Sequence, residues 1–231
     1  MRNVVTGLAV AVAVLPVALS AVQIAPRFDV GSISGHVRLT SRVRGVALPS
    51  NVYQPRSVQR GDAVITPEIK NVVVLLRDVT YAGALTAGRG IVKQQNETFT
   101  PRVLVVTQGS TVDFPNADPF FHNVFSLSSA AEFNLGRYAQ GKSKSRTFSR
   151  AGLVKVYCQM HSHMSASILV LDHPYFAIPD LDGSFTLAQV PPGRHTIVGW
   201  HERVGERAAT IQVEAGRTAS IKLSLPLEDT P

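Results

Sequence analysis

The feature that most constrains the fold is a series of short segments rich in β-branched residues and bounded by Gly, Pro, Asn or Asp. Ten such segments follow one another along the chain: 35–39, 71–76, 101–107, 110–114, 153–158, 166–171, 184–187, 195–200, 209–213 and 219–225. Many short strands separated by turn residues are typical of sandwiches and barrels. Helix signals are weak, with at most a turn around 130–135. The sequence therefore predicts an all-β protein.

The first twenty residues have the order of a secretory signal peptide. Arg2 precedes an uncharged apolar run, and small residues at Ala18 and Ser20 offer a cleavage site before Ala21. We expect residues 1–20 to be removed and the mature protein, which has no other apolar run of this length, to be periplasmic or secreted without a membrane span. The alternative is an uncleaved membrane anchor, because the run is barely long enough to cross a bilayer.

The chain is basic, with 23 Lys and Arg against 16 Asp and Glu and a formal net charge of +7. Loss of residues 1–20 removes one charge, Arg2, which leaves +6. The densest cluster of cations is KSKSR at 142–146. No aromatic residues alternate with the basic ones as they do in nucleic-acid-binding surfaces, so we expect no nucleic-acid partner. The charge indicates either a solvated surface or a docking surface for an acidic partner.

Soft donor atoms are concentrated in the segment YCQMHSHM near the middle of the chain. It holds Cys158, which is the only cysteine, together with His161, His163, Met160 and Met164. In an exported protein a single cysteine has no partner for an internal disulfide. An exposed thiol would oxidise there, so Cys158 must be buried, paired between chains or bound to a metal. Its neighbours favour the metal.

The strand before this segment alternates between two faces. Val154, Val156 and Cys158 point to one face, and Lys155 and Tyr157 point to the other. The face with the two valines is the one predicted to be buried. We therefore expect the cysteine at the inward end of a strand.

The turn after Cys158 brings His161 and Met164 beside the thiolate, and His122, which follows a neighbouring strand, is the candidate for a fourth donor. One thiolate, two imidazoles and a thioether are the ligands of a blue-copper electron-transfer site, in which a weak axial Met completes a trigonal His, His, Cys arrangement. Zinc would also bind such residues, but a Met ligand is unusual for zinc. The four residues therefore predict one copper ion that alternates between Cu(I) and Cu(II).

Residues 91–171 resemble a cupredoxin of the plastocyanin and amicyanin type. TFTPRVLVVTQGSTVDFPN resembles the opening strands, FHNVFS the loop with the first histidine, and GKSKSRTFSRAGLVKVYC the approach to the cysteine. The C-x-x-H-x-x-M spacing is similar to the short amicyanin loop. The resemblance implies a Greek-key sandwich and the same four copper ligands. It also implies that Asn123 ties the two ligand loops together by hydrogen bonding.

His163 is an alternative to His161 as the second imidazole. Its spacing from Cys158 would match longer-loop cupredoxins, but those place the axial Met further along, where this chain has Ile168. We therefore prefer His161 and expect His163 to be partly exposed, with electron exit or partner contact as its functional alternative. Met160, in place of a common proline, would pack at the rim or act with His163 as an extra donor that captures Cu(I).

The residues on both sides of the cupredoxin resemble a second sandwich. DLDGSFTL and VPPGRHTIVGWHE are similar to turns of a carboxypeptidase-regulatory-like, transthyretin-like domain, and GSISGHVRL and NVVVLLRDV look like its first strands. The tail alone is too short for a core of its own. We predict a discontinuous Ig-like or transthyretin-like sandwich of 30–88 and 173–231, with the cupredoxin domain, 89–172, inserted in one of its loops. The alternative is a larger cupredoxin with an N-terminal extension and a separate tail domain. No role is assigned to 40–70.

Proteins with this pair of domains resemble a bacterial family of methylamine-utilisation or plastocyanin-like proteins. We expect an exported electron carrier that shuttles single electrons between periplasmic redox partners, with the second sandwich as a docking platform. One alternative is a copper-binding or copper-delivery protein. Another is a carbohydrate ligand on the second sandwich, with Trp200, His201 and Glu202 as its exposed candidates. An enzyme is not expected, because four protein ligands leave no open position on the metal.

Overall fold

The computed structural model describes residues 30–40 and 67–226. Within these ranges the chain forms strands and one short 3-10 helix, and it forms no α-helix. The all-β prediction is confirmed. No described helix has the length and apolar character that a membrane crossing needs. The predicted signal peptide, 1–20, and most of 40–70 lie outside the described residues.

The 3-10 helix spans Glu68–Asn71. In chain order the strands are β1 (Gly31–Leu39), β2 (Val72–Arg77), β3 (Arg89–Ile91), β4 (Lys93–Gln95), β5 (Thr98–Thr100), β6 (Val103–Thr107), β7 (Thr111–Pro115), β8 (His122–Ser128), β9 (Ala131–Tyr138), β10 (Ser143–Thr147), β11 (Gly152–Tyr157), β12 (Ser165–Leu171), β13 (Phe176–Ala177), β14 (Ser184–Val190), β15 (Gly193–His201), β16 (Gly205–Val213) and β17 (Thr218–Leu225).

All ten segments predicted to be strands are strands, but the helical turn suggested around 130–135 is wrong. Residues 131–135 belong to β9, where Phe133 and Leu135 pack against the core and Asn134 between them is exposed. Gly136, at φ 66°, then interrupts the pairing of β9 with β8. A glycine in this conformation is typical of a bulge, and the extra residue conceals the two-residue period.

Strands β3 to β12 build the first sandwich, called here the site sandwich. A five-stranded sheet in the order β6-β12-β11-β8-β9 and a three-stranded sheet in the order β10-β7-β3 enclose its core, and β4 and β5 form a hairpin beside them. The largest fully buried side chains of this core are Phe99, Phe114, Phe148, Met164 and Ile168.

Strands from both ends of the chain build the second sandwich. One sheet has the order β14-β1-β17 and the other has the order β13-β2-β15-β16. Strand β1 runs parallel to β17, with Val37 paired with Leu223, so the first described strand joins the C-terminal strands and not the site sandwich. Independent folding of the inserted and the discontinuous part stays a prediction, because strand pairing does not measure it.

The two sandwiches share a third apolar cluster. Val73 and Trp200, on β2 and β15, pack there with Val103 and Leu169, on β6 and β12. These strands are therefore covered on both faces, and β2 and β12 read as continuous apolar runs rather than alternating ones. The four sheets consequently stack as layers with three apolar clusters between them.

The burial of three side chains overturns one expectation about the second sandwich. Trp200 is 7% exposed, His201 is 0% exposed, and the side chain of Glu202 is 6% exposed, so the three do not form an exposed carbohydrate site. The carboxylate of Glu202 accepts hydrogen bonds from Arg102 and from Ser167 of the site sandwich. Trp200 lies at the end of a central strand, where a tryptophan is more often a core residue, and it packs with Val103 and Leu169 of the site sandwich.

The Leu169→Ala substitution should lower the free energy of unfolding by about 2–5 kcal/mol, because it leaves a cavity between two packed sheets. Leu127, in β8 of the same sheet but 74% exposed, is the matched control, and Leu127→Ala should change the free energy by less than about 0.5 kcal/mol. Urea unfolding followed by fluorescence of Trp200, the only tryptophan, measures both. Equal effects of the two substitutions would contradict the layered packing.

Candidate metal centre

Strand β11 delivers Cys158 to the inside of the site sandwich. Val154 and Val156 are fully buried and Cys158 is 2% exposed, whereas Tyr157 is 36% exposed, which is the predicted alternation. The loop that follows is closed on itself by its backbone. The N–H of Met164 donates to the carbonyl of His161 at 2.9 Å, and the N–H of Cys158 donates to the carbonyl of Met164 at 3.4 Å. This loop therefore has a fixed shape between β11 and β12.

Three donor atoms converge at this end of the core. The Cys158 Sγ lies 3.7 Å from Nδ1 of His122 and 3.7 Å from Nδ1 of His161, and the two Nδ1 atoms are 3.1 Å apart. Nitrogen and sulfur ligands held about 2.0–2.3 Å from one ion in a trigonal plane are about 3.5–3.7 Å apart. The observed triangle is close to these separations, so the three residues fit a trigonal metal ion. They are the only such group of His, Cys, Asp and Glu side chains among residues 30–40 and 67–226.

Asp118, which no sequence motif predicted as a site residue, fixes the ring of His122. The His122 Nε2 lies 2.8 Å from the Asp118 carboxylate, which also accepts the backbone N–H groups of Asn96 at 2.6 Å and Glu97 at 3.0 Å. With its Nε2–H donating to Asp118, His122 turns Nδ1 toward the Cys158 Sγ, where an Nδ1–H donates to the thiolate in the metal-free protein and the Nδ1 lone pair would bind a metal. The only sequence feature that points to this contact is the position of Asp118, four residues before the predicted ligand His122.

The pKa values around His122 reflect this arrangement. Burial would lower the pKa of His122, but the Cys158 thiolate and the Asp118 carboxylate raise it. Burial would likewise raise the pKa of Asp118, but hydrogen bonds from the N–H of Glu97, from His122 and from the N–H of Asn96 lower it. The carboxylate is therefore ionised at neutral pH and holds the imidazole in place.

Cys158 is poised as a thiolate. Burial alone would raise the pKa of its thiol, but hydrogen bonds from His122, from the backbone N–H of Asn123 and from His161 lower it from its ordinary value of 9.0 to about 6. The thiolate is the form of cysteine that binds metals. At neutral pH the residue is thus in its ligand form before any metal arrives.

Asn123 links the two ligand-bearing segments. Its Oδ1 accepts the backbone N–H of Gln159, the residue after Cys158, at 2.7 Å, and its Nδ2 lies 3.3 Å from the Gln159 Oε1. Asn123 is in β8 beside His122 and is 1% exposed. This contact is the one that the cupredoxin resemblance implies for Asn123.

The two methionines of the loop are packed into the protein. Met164 is 1% exposed and belongs to the same apolar cluster as Cys158, and Met160 is partly buried against that cluster. The structure thus brings Met164 to the end of the core that holds the donor triangle. Its role as an axial ligand stays a prediction.

His163 lies outside the donor triangle. Its side chain is 61% exposed, and its Nε2 is 3.2 Å from the carboxylate of Glu97. Glu97 is in the turn between β4 and β5, whose backbone N–H groups also hold Asp118. This hairpin therefore contacts both segments that carry the donors, a role that no local sequence pattern indicates.

Two phenylalanines form an apolar rim above the site. The Phe120 ring lies 5.2 Å from the ring of His122 and 5.4 Å from that of His161, and it is 38% exposed. Phe121 beside it is 56% exposed. His161 is partly buried under this rim, whereas His122 is fully buried. Hence His161 is the donor residue that comes closest to the surface.

No protein-family model matches this chain, and neither does any curated protein. A copper-containing nitrite reductase from Thermus scotoductus SA-01 aligns with 41% of this chain at 24% identity and a TM-score of 0.36, and the chain spans a quarter, 25%, of that protein's length. A reduced amicyanin variant aligns over 36% of this chain and 82% of its own, at 24% identity and a TM-score of 0.34. The purple cupredoxin of Nitrosopumilus maritimus aligns over 36% of this chain and 99% of its own, at 23% identity and a TM-score of 0.32. The neighbours include an enzyme, so this likeness does not decide whether the chain is one.

His122→Ala should raise the pKa of Cys158 in the metal-free protein from about 6 toward 9.0, because it removes the first of the hydrogen bonds that stabilise the thiolate. The ultraviolet absorbance of the thiolate, followed against pH, measures this pKa. His163→Ala is the control and should leave it unchanged, since His163 contacts Glu97 and not the thiol. An unchanged pKa in His122→Ala would contradict the geometry described above.

The lowered pKa of Cys158 predicts how the stability of the metal-free protein depends on pH. The pKa of Cys158 is lower in the folded protein than in the unfolded chain, so the thiolate stabilises the metal-free fold. This contribution should be complete above pH 9.0, decrease as the pH falls, and be lost through about pH 6. Cys158→Ser should lack this part of the pH dependence in urea unfolding, and an identical profile in both proteins would contradict the shift.

Proposed function

We propose that this protein is an exported type 1 copper protein that carries single electrons between periplasmic redox partners. Bound copper supplies the chemistry by alternating between Cu(I) and Cu(II). The observation that carries the proposal is the buried triangle of the Cys158 Sγ and the Nδ1 atoms of His122 and His161, with separations of 3.7, 3.7 and 3.1 Å. Export is proposed only because residues 1–20 have the pattern of a signal peptide.

The surroundings of the triangle support one-electron transfer because they hold the donors in one geometry. Asp118 orients His122, and Asn123 joins β8 to the residue after Cys158. Donors held by such outer contacts do not need to move when the charge of a bound metal changes by one. A site that rearranges little is what repeated electron transfer requires.

The path to the surface also supports a carrier. His161 is partly buried beneath the Phe120 ring, and both Phe120 and Phe121 are exposed. An apolar rim around an imidazole ligand allows a partner to exclude water over the shortest route to the metal. The proposed route of the electron is therefore through His161.

A role outside catalysis is proposed on the closure of the site. With Met164 as the axial ligand, the protein supplies every donor, and catalytic metal sites keep a position open for substrate. Phe120 covers the two imidazoles from the solvent side. Neither feature favours the binding of a substrate to the metal.

Copper delivery is the second candidate and has less support. It would favour exposed soft donors beside the site, but Met160 packs against the core cluster and His163 is paired with Glu97. The Met160 thioether, which is the softer donor, is therefore partly withdrawn from solvent, and the exposed His163 already contacts a carboxylate. The carrier is therefore the function that the geometry supports best.

Cu(II) added to the mature protein should produce the intense blue absorption of a thiolate-to-copper charge transfer and a small copper hyperfine splitting in electron paramagnetic resonance. Cys158→Ser should lose the band completely, because the thiolate is its source. His163→Ala is the matched control and should retain it, since its imidazole lies outside the donor triangle. Copper binding without the blue band would favour the delivery function.

Met164→Leu should keep the blue band and raise the reduction potential, because the loss of a fourth donor destabilises the more highly charged Cu(II) more than Cu(I). A tenfold decrease in the affinity for Cu(II) relative to that for Cu(I) corresponds to a rise of about 59 mV for one electron, and a shift of this order is expected. Protein-film voltammetry measures the potential. Met160→Leu is the control within the same loop, and a similar shift in both variants would show that Met164 is not the axial ligand.

A further inference from the structure

The segment 137–155 contains six Lys and Arg residues and no Asp or Glu. Arg137, Lys142, Arg146 and Arg150 are exposed. In the part of the chain that the structure describes, none of the six is in an ion pair. By contrast, Arg89 and Arg102 of the same sandwich are paired with carboxylates. The segment therefore carries six cations, none of which the described residues neutralise by an ion pair.

The topology puts this charge on a free edge of the site sandwich. Strand β9 is the outer strand of the five-stranded sheet, and β10 is the outer strand of the three-stranded sheet. The second sandwich packs on β6 and β12, which lie at the opposite end of the five-stranded sheet. The basic edge is thus turned away from the rest of the molecule.

One buried side chain connects the basic edge to the apolar rim. Asn116, 2% exposed, donates from Nδ2 to the carbonyl of Phe120 at 2.8 Å, and its N–H donates to the carbonyl of Lys142 at 2.9 Å. Gly141 donates in turn to the carbonyl of Asn116 at 2.8 Å. On the neighbouring strand, Arg137 is paired with Asn123. The loop that carries Lys142 is therefore held at a fixed position beside the rim.

Protection of a sheet edge against aggregation would also place lysines on β10. It would explain Lys144, which lies within that strand. It does not account for Lys142, which precedes the strand, because protection needs charge along the unpaired backbone and not in the loop tied to Phe120. The charge nearest the rim requires another explanation.

We propose that Phe120, Phe121, Arg137 and Lys142 form one docking surface for an acidic redox protein, with the phenylalanines as its apolar centre and the cations as its flank. The surface rests on the proposed electron-carrier function and specifies the chemistry of the partner. An apolar core with charged surroundings is the usual organisation of an interface, and complementary charge mainly raises the rate of association. A partner that docks here meets the proposed electron route at His161.

The first test uses the metal-free protein, so its outcome does not depend on copper. Poly-L-glutamate, an acidic polypeptide without redox chemistry, is titrated into isotope-labelled protein, and amide chemical shifts are followed by NMR. We expect the shifts to be concentrated at 116–121 and 137–142. The Arg137→Gln, Lys142→Gln double variant should bind poly-L-glutamate at least about 10-fold more weakly. The matched control is Arg194→Gln with Lys222→Gln, two exposed cations of the second sandwich, which should bind as the parent does. Shifts centred on the second sandwich, or equal losses in both variants, would overturn the proposal.

The second test uses the Cu(I)-loaded protein, which gives one electron to hexacyanoferrate(III) and converts it to hexacyanoferrate(II). The Arg137→Gln, Lys142→Gln variant should react about 10-fold more slowly at low ionic strength, and the difference should shrink as salt screens the field. A cationic oxidant, tris(phenanthroline)cobalt(III), should not be slowed. Equal rates for parent and variant with the anionic oxidant would overturn the docking surface while leaving the carrier function intact. A protein that binds poly-L-glutamate at this surface but shows no blue copper would retain the surface and overturn the carrier.

Discussion

The site depends on one buried negative charge, the thiolate of Cys158, and on the groups that make it tolerable. An ionised side chain without partners is costly inside a protein. Here two imidazoles and a backbone N–H face the sulfur, and together they lower its pKa to about 6 despite the burial. The same imidazoles point their Nδ1 atoms at the sulfur, so the contacts that stabilise the charge are also the contacts that shape a metal site.

The groups around the thiolate are themselves held in place by further contacts. His122 is oriented by Asp118, and Asp118 is held by the turn between β4 and β5, whose Glu97 also contacts His163 in the ligand loop. A change in that hairpin would therefore reach both segments that carry donors. Such a chain of contacts explains how a loop of seven residues, from Cys158 to Met164, keeps one shape at the end of a sandwich.

The sequence was informative where the signal is local. The alternation of Val154, Val156 and Cys158 predicted which face is buried, and the ten clearest strands were found from their composition and turns. The spacing of the ligand loop favoured His161 over His163, and the donor triangle contains His161. Each of these patterns depends on residues a few positions apart.

The sequence was uninformative where the cause lies far along the chain. The contact of Glu97 with His163 and the burial of Trp200 against Leu169 join residues that no short pattern connects. The bulge at Gly136 concealed the period of β9, and packing against the site sandwich made Trp200 a core residue. A polar spacing, such as that of Asp118 and His122, becomes meaningful only when the fold shows that both side chains are buried.

The packing of the two sandwiches determines which edge of the site sandwich is covered and which is exposed. Packing of β2 and β15 against β6 and β12 covers one end of the five-stranded sheet, and it leaves β8 and β9 as the strands that face solvent beside the donors. Because β8 carries His122 and Asn123, the site lies at the boundary between this open part of the sheet and the apolar rim. A second sandwich on the other edge would have covered Arg137 and the loop of Lys142. The arrangement that buries apolar surface between the sandwiches thus also leaves the rim and its basic flank exposed.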